Sequence, residues 1–406
     1  MKNILFNKSI ILGLFFALFF VQCNIKEKSD SNNVRKIVVS PLDAITLKAT
    51  ELFDSVEIVA LESDDNKVFV KPEKLITYNN HFFFKSRNEL TVFDSIGKFC
   101  FKIDKKGPGP GEYISFSDYQ IEKDGSITIN DGQGRKLIRY SNTGNFIKEI
   151  KHNLFSTNFF ILNKNYVINS GPLINSNTKC RVNIICEDNP TKITGFLEES
   201  DNNRLVRIFE YTNFSYFKDT LSYSYCSSNT IYYLKDKTAK PRLYVDFGKN
   251  TLPESYFAEN NDVVKFVSNL KETEYASIID GYQETDKFLF FLYCFKGKRS
   301  FVFWNKTDNL TYNYNKLNDD LLFPDIMQKT SYDLLPILMD NNYLYISMES
   351  NTFKDLYEKL KEKLSNKEWE IYKKNHQFIE KTYSNLSPED NAIILKYRFK
   401  KHKNKI

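Results

Sequence analysis

Leu90-Thr91-Val92-Phe93-Asp94-Ser95-Ile96-Gly97-Lys98-Phe99-Cys100-Phe101-Lys102-Ile103 reads as a strand, a turn and a second strand. Both flanks are rich in β-branched and aromatic residues, and Gly97 sits where a hairpin needs positive φ. Lys136-Leu137-Ile138-Arg139-Tyr140, Ser141-Asn142-Thr143-Gly144 and Asn145 to Ile150 repeat the pattern. A further hairpin precedes each copy, turning at Asn79-Asn80 before the first and at Lys123-Asp124-Gly125 before the second. Ile127 and Ile129 alternate with Ser126, Thr128 and Asn130, the period of a strand. Four short strands in a unit of about 45 residues are a propeller blade.

Later copies are degenerate but countable. One runs from Phe159 to Leu197, turning at Asn163-Lys164-Asn165 and Glu187-Asp188-Asn189-Pro190. Another runs from Phe214 to Phe247, with turns near Ser227-Ser228-Asn229 and Asp236-Lys237. A helix capped by Asp262 follows, with Val263, Phe266, Val267 and Leu270 along one side. The fifth copy spans Ala276 to Tyr314, turning at Glu284-Thr285-Asp286 and Lys306-Thr307-Asp308. The sixth opens with Leu335 to Ser347, turning at Asp340-Asn341-Asn342, and is then interrupted. Thr352-Phe353-Lys354-Asp355 and Ser365-Asn366-Lys367-Glu368 both fit the capping-box pattern at a helix start. The first helix would carry Leu356, Leu360 and Leu364 on one side, the second Trp369, Tyr372, His376 and Ile379. This helical hairpin, about residues 353–382, would pack on the outside or across one mouth. Asn391 to Phe399 is the last strand. A ring of sheets leaves no open end if Val56 to Leu61 joins the last blade beside that strand. The expected fold is therefore all-β. It is a six-bladed β-propeller over residues 50–400, closed by N- and C-terminal strands in one blade, with a helical hairpin inserted in the last.

Between the first two copies lies Lys105-Lys106-Gly107-Pro108-Gly109-Pro110-Gly111-Glu112-Tyr113. Permissive and fixed φ alternate there, which neither helix nor central strand tolerates, so the segment is a shaped loop. It is not a phosphate cradle. Its glycine spacing fits neither nucleotide motif, its prolines remove amide donors, and a strand follows instead of a helix. A stiff connector between two sheets is the reading that remains. The stretch Gly107 to Tyr113 resembles the Gly-x-Gly-Pro-Gly-Glu-Tyr signature of the six-bladed β-propeller lipoproteins of Bacteroidetes, relatives of NHL-type propellers. Glu57-Ile58-Val59-Ala60-Leu61-Glu62 and Pro388-Glu389-Asp390-Asn391-Ala392-Ile393-Ile394-Leu395-Lys396-Tyr397 are similar to the same family, which usually has Asn-Pro where this chain has Asn391-Ala392. The resemblance implies a propeller and names no substrate.

Residues 1–22 read as an export signal. Lys2 and Lys8 precede an unbroken apolar run, Ile10 to Val21, whose length as a helix is about 18 Å, too short for a bilayer core. Cys23 follows at once. Gln22 is not the small residue that ordinary cleavage prefers, and Phe20-Val21-Gln22-Cys23 resembles a bacterial lipobox, so Cys23 is the expected lipidation site. Residues 23–49 would be the lipid-anchored tether and lead-in, and 401–406 a basic tail. The outer membrane, in the cell envelope, is the expected location.

The chain has 406 residues, 41% hydrophobic and 15% aromatic, enough for a large core. A net charge of +6 on this length does not argue for nucleic acid. Besides Cys23 there are Cys100, Cys180, Cys186, Cys226 and Cys294, an odd number. Cys180 and Cys186 end one strand about 20 Å apart, far beyond disulfide reach. No C-x-x-C occurs, and buried free thiols are the expected state.

Signals for chemistry are sparse. His81 opens a strand, His152 follows one, His376 lies on the apolar side of a helix and His402 is in the tail. H-E-x-x-H, G-x-S-x-G and S-x-x-K are absent. Asn130-Asp131-Gly132-Gln133-Gly134 lacks the alternating carboxylates and closing Glu of a calcium loop, and Asp246-Phe247-Gly248 has no companion kinase motif. No catalytic residue, metal or cofactor is expected. Aromatic stretches, Tyr211 to Tyr225 and Phe323-Pro324, either stack on sugar rings or peptide side chains or fill sheet interfaces. Two functions follow. The first is a non-catalytic, lipid-anchored binding module for an envelope protein or glycan. The second is an enzyme acting on glycans or other polymers, with acidic residues converging at the channel.

Overall fold

Six blades, each a sheet of four antiparallel strands, follow one another along the chain. The computed structural model describes residues 34–63, 72–170, 178–198, 213–225, 228–235, 237–253, 255–260, 263–323 and 336–401. The signal segment, Cys23, Cys226, Asp262, Pro324, Leu335 and His402 lie outside them. Three strands lead: β1 (Arg35–Val38), β2 (Ile45–Lys48) and β3 (Phe53–Ala60). Blade one is β4 (Lys74–Tyr78), β5 (His81–Ser86), β6 (Glu89–Asp94) and β7 (Phe99–Ile103). Blade two is β8 (Phe116–Ile121), β9 (Ile127–Asp131), β10 (Lys136–Tyr140) and β11 (Phe146–Lys151). Blade three is β12 (Asn158–Leu162), β13 (Asn165–Asn169), β14 (Cys180–Cys186) and β15 (Asn189–Glu198). Blade four is β16 (Phe214–Phe217), β17 (Thr220–Tyr223), β18 (Thr230–Lys235) and β19 (Thr238–Asp246). Blade five is β20 (Ala276–Glu284), β21 (Phe288–Phe295), β22 (Lys298–Asn305) and β23 (Thr311–Asn318). Blade six is β24 (Pro336–Met339), β25 (Tyr343–Met348), β26 (Ile393–Phe399) and, as its fourth strand, β3.

That last pairing closes the ring, as the sequence predicts. Leu395 stands opposite Ile58 and Ile393 opposite Ala60 in an antiparallel register. The first strands of the blades stand around the axis, with β4 between β24 and β8, β12 beside β8, and β20 between β16 and β24.

Each blade-to-blade boundary holds its own apolar cluster. Phe83, Val92, Ile127 and Ile138 fill the first boundary, and Phe159 and Ile185 meet Leu137 in the second. Val59, Phe84 and Ile394 fill the closing one. Because every sheet has a neighbour on both sides, the alternation in β9 does not mean one wet face. Ile127, Thr128, Ile129, Asn130 and Asp131 are all buried.

Among the described residues the predicted turns form with the backbone they require, while Ser227 and Asp236 lie outside them. Asn79 and Asn80 have φ of 45° and 59°, and Gly97 has 89°. Gly97 is also a close approach, since a Cβ there would lie 2.1 Å from the Ala60 carbonyl oxygen. The Gly-Pro loop connects blades one and two. Tyr113, fully buried, donates its hydroxyl to the carbonyls of Asn88 (2.6 Å) and Ile103 (3.2 Å), and Lys105 N–H donates to that hydroxyl. Glu112 accepts from Gly109 N–H at 2.9 Å, and Gly111 is held at both ends by Tyr140 and Glu149.

Five readings need correction. Residues 35–48, expected as lead-in, carry two strands. β1 adds to the outer edge of blade four and β2, parallel to β23, to the outer edge of blade five. With β3 they form a strap across three consecutive blades, held by Val39 N–H on the Asp246 carbonyl and by Asn313 and Asn315 on the carbonyls of Ser40 and Ala44. The helical insertion is three helices, Ser350–Lys363, Asn366–Asn375 and Gln377–Asn385, in place of a hairpin over 353–382. Thr352 lies inside the first helix. β25 runs almost directly into that helix, and Ser350 fixes its start by donating to the Asn391 carbonyl at 2.5 Å. The Ser365–Glu368 capping box is formed as predicted. His376 ends one helix and begins the next, its ring 4.4 Å from that of Tyr372, which breaks the single apolar side expected there. The insertion packs on the outside, with Phe353, Leu360, Tyr372 and Ile379 joining the cluster of blades five and six. Finally, the four described cysteines are not buried. Cys100 is exposed on an outermost strand, and Cys180, Cys186 and Cys294 are half-buried.

Candidate functional site

Successive strands reverse direction, so the turns joining first to second strands share one face. Lys218-Asp219, Asp286 and Asn341 lie there and are linked by Lys218–Asp286 and Asn341–Asp286 contacts. The connections between blades leave from the opposite face, together with the Gly-Pro loop. At that loop face, the ends of the inner strands of blades two to four carry side chains of one chemical type.

Asn158 begins β12, Asn169 ends β13, Asn213 precedes β16 and Ser224 follows β17. All four are buried. Asn213 Oδ1 accepts from Asn158 Nδ2 at 2.6 Å and from Asn169 Nδ2 at 2.7 Å, while Asn213 Nδ2 donates to the Ser224 carbonyl at 2.8 Å. Tyr223 donates its hydroxyl to Asn169 Oδ1 at 2.9 Å. On the blade-two side, Ser156 donates to Asn130 Oδ1 at 2.8 Å. In blade three, Asn183 donates to Ser170 Oγ and to the Cys180 carbonyl. Buried polar atoms are nearly always paired, yet Asn158 Oδ1, Asn130 Nδ2 and Ser224 Oγ have no hydrogen-bond partner among the described residues. An acceptor, a donor and a hydroxyl are therefore left unsatisfied along one polar seam.

Aromatic rings back the seam. Tyr223, Tyr225 and Tyr232 follow one another at centroid distances of 5.7 and 6.0 Å, the second pair stacked. The Arg181 guanidinium, 1% exposed, lies 4.1 Å from the Tyr225 ring centre. Burial pushes the Tyr225 hydroxyl well above the ordinary phenol range, so it stays a neutral donor. Nearer the opposite face, Phe160 and Tyr216 stack across the boundary of blades three and four at 5.2 Å, with Tyr216 45% exposed.

Carboxylates on the inner strands are engaged elsewhere. Asp118 on β8 takes Lys74 Nζ at 2.7 Å and the Phe159 N–H at 3.1 Å. Glu284 on β20 accepts Arg242 through both its oxygens, at 2.7 and 2.8 Å, and Lys306 at 2.6 Å. Burial alone would raise the Glu284 pKa, but Arg242 and Lys306 outweigh it and hold the carboxyl below its usual range.

The residues singled out from the sequence fall in several places. Gly107 to Tyr113 sit at the loop face and interact with their own blades. Asn130 and Asp131 end β9 and the turn follows from Gly132, with Asp131 accepting from the N–H groups of Ile114, Ser115 and Gly134, leaving no calcium-like arrangement. Among the described residues, no group of three or more His, Cys, Asp or Glu could hold a metal ion. His81 and His376 bond to carbonyls of Asn79 and Tyr372, and His152 is buried beside Leu154. Phe323 is packed against Phe353 inside the core. Of the aromatic stretch, Tyr223 and Tyr225 reach the seam. Its asparagines were invisible in sequence because the Asn158–Asn213 and Asn169–Asn213 partners lie 55 and 44 residues apart. The signal that could have found them is an Asn or Ser at the end of each inner apolar strand.

The family model of DUF4934, a domain of unknown function, matches residues 36–398. The chain belongs to the DUF4934 family. Among solved structures, it is similar to an inferred exported protein of Bacteroides fragilis. The match has 18% identity and a TM-score of 0.70, covering 90% of this chain and 100% of that one. A DUF4221 family member from Bacteroides vulgatus aligns at 10% identity with a TM-score of 0.48, over 86% and 97% of the two chains. No curated protein matches. The likeness to the B. fragilis protein is one of fold.

Proposed function

We propose that this DUF4934 propeller is a binding module of the bacterial cell envelope, acylated at Cys23, that takes a glycan at the seam of blades two to four. One observation carries the reading: unsatisfied hydrogen-bonding atoms on Asn130, Asn158 and Ser224 lie along a buried seam of amides backed by tyrosines. Carboxamides pair well with hydroxyls, since each supplies two donors and an acceptor, and aromatic faces take the apolar face of a sugar ring. Of the two partners considered, protein or glycan, this set of neutral polar groups suits a polyhydroxyl ligand. Location in the envelope, on the outer membrane, is supported by the leader, the lipobox-like Cys23 and the exported character of the B. fragilis neighbour. The reading as a glycan-processing enzyme is disfavoured by Asp118 and Glu284, whose oxygens are already committed to Lys74, Arg242 and Lys306.

Ser224→Ala tests the proposal cleanly, because it deletes a hydroxyl that bonds to nothing in the described structure. Screening the purified protein on a glycan array should identify a bound glycan, and affinity for it should fall about tenfold in Ser224→Ala with unchanged thermal stability. Retention of no glycan at all, or equal affinity in the variant, would overturn the assignment. Turnover of a bound glycan would establish the enzyme instead.

A further inference from the structure

The strap carries a feature unrelated to the polar seam. Val38, Leu42 and Ile45 are 66%, 55% and 59% exposed, three large aliphatic side chains within eight residues. Val38 and Ile45 line one crevice of about 280 Å³ on the outer edge of blades four and five, together with Asp43 and Tyr312. Leu42 lies between them on the single turn Pro41–Asp43. Exposed aliphatics scattered singly are ordinary, but here three fall on one short segment, with only the exposed Ser40 and Asp43 and the half-buried Ala44 among the surface positions between them. Lys36 precedes the patch, and Lys316, exposed, faces Thr46 across the β2–β23 pairing.

We propose that this edge docks onto the lipid surface, with Val38, Leu42 and Ile45 entering the boundary between headgroups and acyl chains. The inference rests on the acylation at Cys23 proposed above, and the position of the patch in the chain supplies the occupant. Fully extended, the residues from Cys23 to Lys36 span at most about 45 Å, so an anchored propeller keeps this edge near the bilayer. Tethering turns a surface contact into an intramolecular one and adds to the affinity that the apolar patch has by itself. Docking would fix the edge of blades four and five against the membrane and turn the propeller axis along its plane. The loop face would then open sideways into the surrounding space.

The test uses the chain from residue 23 onward with Cys23→Ser, which keeps the compact unit 36–406 whole and removes the acylation site. It should co-sediment with vesicles of phosphatidylethanolamine and phosphatidylglycerol. Combining Val38→Asp, Leu42→Asp and Ile45→Asp should lower the bound fraction about tenfold without shifting the melting temperature. Val264→Asp, at an exposed residue outside the strap, serves as control and should bind as the parent does. Failure of the parent to sediment, or equal sedimentation of the triple variant, would overturn the proposal. So would a concentration-dependent dimer abolished by the triple variant, which would make a second copy the occupant. Mass measurement of the N-terminal peptide from cells reads acylation separately. An unmodified Cys23 together with vesicle binding would refute the anchor and leave the docking surface standing.

Discussion

Lys74 Nζ meets Asp118 Oδ1 at 2.7 Å across the boundary of blades one and two, and Asp118 Oδ2 takes the Phe159 N–H of blade three at 3.1 Å. One carboxylate thus ties three inner strands together around the axis. The pair is largely shielded, with side-chain exposures of 18% and 6%. Removing one partner of such a pair leaves a buried charge uncompensated, so Asp118→Ala should cost about 3–5 kcal/mol in urea unfolding. Asp118→Asn, which keeps an acceptor for Phe159, should cost less. A loss below about 1 kcal/mol for the alanine variant would mean the pair is no more than a surface contact.

Stability should fall on mild acidification because of His152. Burial holds its folded pKa at about 4, down from 6.5. The unfolded chain therefore binds a proton between those values and the folded chain does not. His152 contributes fully above 6.5, and its contribution, about 3 kcal/mol, is lost as pH falls towards 4. Urea titrations between pH 7 and pH 4 should show a shallower decline for His152→Gln than for the parent. Parallel declines would remove His152 from the account. Glu284, whose folded pKa is depressed, adds a separate loss below its unfolded value, as pH falls through its folded pKa.

Two glycines with positive φ separate backbone strain from crowding. Gly248, φ 57°, has nothing within 4 Å of a would-be Cβ, so Gly248→Ala should cost only the left-handed penalty, about 1–2 kcal/mol. Gly97→Ala adds a collision with the Ala60 backbone and should cost distinctly more, about 3 kcal/mol or above. Equal melting temperatures for the two variants would show that the seam between blades one and six yields freely.

The strap and the closing strand should differ sharply when removed. Deleting residues 34–48 takes Ile37, Val39 and Leu47, all at most 2% exposed, out of the outer edges of blades four and five. The ring should persist, weakened by about 3–6 kcal/mol. Deleting residues 50–62 removes the fourth strand of blade six, and no cooperative melting transition should remain. A native-like transition after the second deletion would contradict closure through β3.

Much of this architecture is written locally. Asn79-Asn80, Gly97, Gly125 and Gly144 mark hairpins because only such residues take the left-handed backbone cheaply, and β3 could be assigned to blade six because a ring needs an end. The strap escaped notice because Ile37 and Leu47 sit on four-residue strands with no hairpin of their own, and Val39 lies just beyond the first, each strand pairing with a blade some two hundred residues or more away. Thr352 misled for a related reason, as tertiary anchoring of Ser350 to Asn391 moved the helix start past the local cap. The polar seam is the extreme case. Its members are single asparagines at strand ends, and only the circular arrangement makes them neighbours.

Lys396 donates to Glu57 at 2.8 Å between two strands that lie 339 residues apart in the chain. Among the blade strands, the first to be synthesised must therefore wait for the last. Such long-range pairing is slow, and until it forms blade six lacks its outer strand and the seam with blade one stays open. Newly synthesised molecules would pass through a horseshoe with two sticky ends. For this protein, the vulnerable stage is assembly: partners or proteases that capture the horseshoe compete with the completed ring.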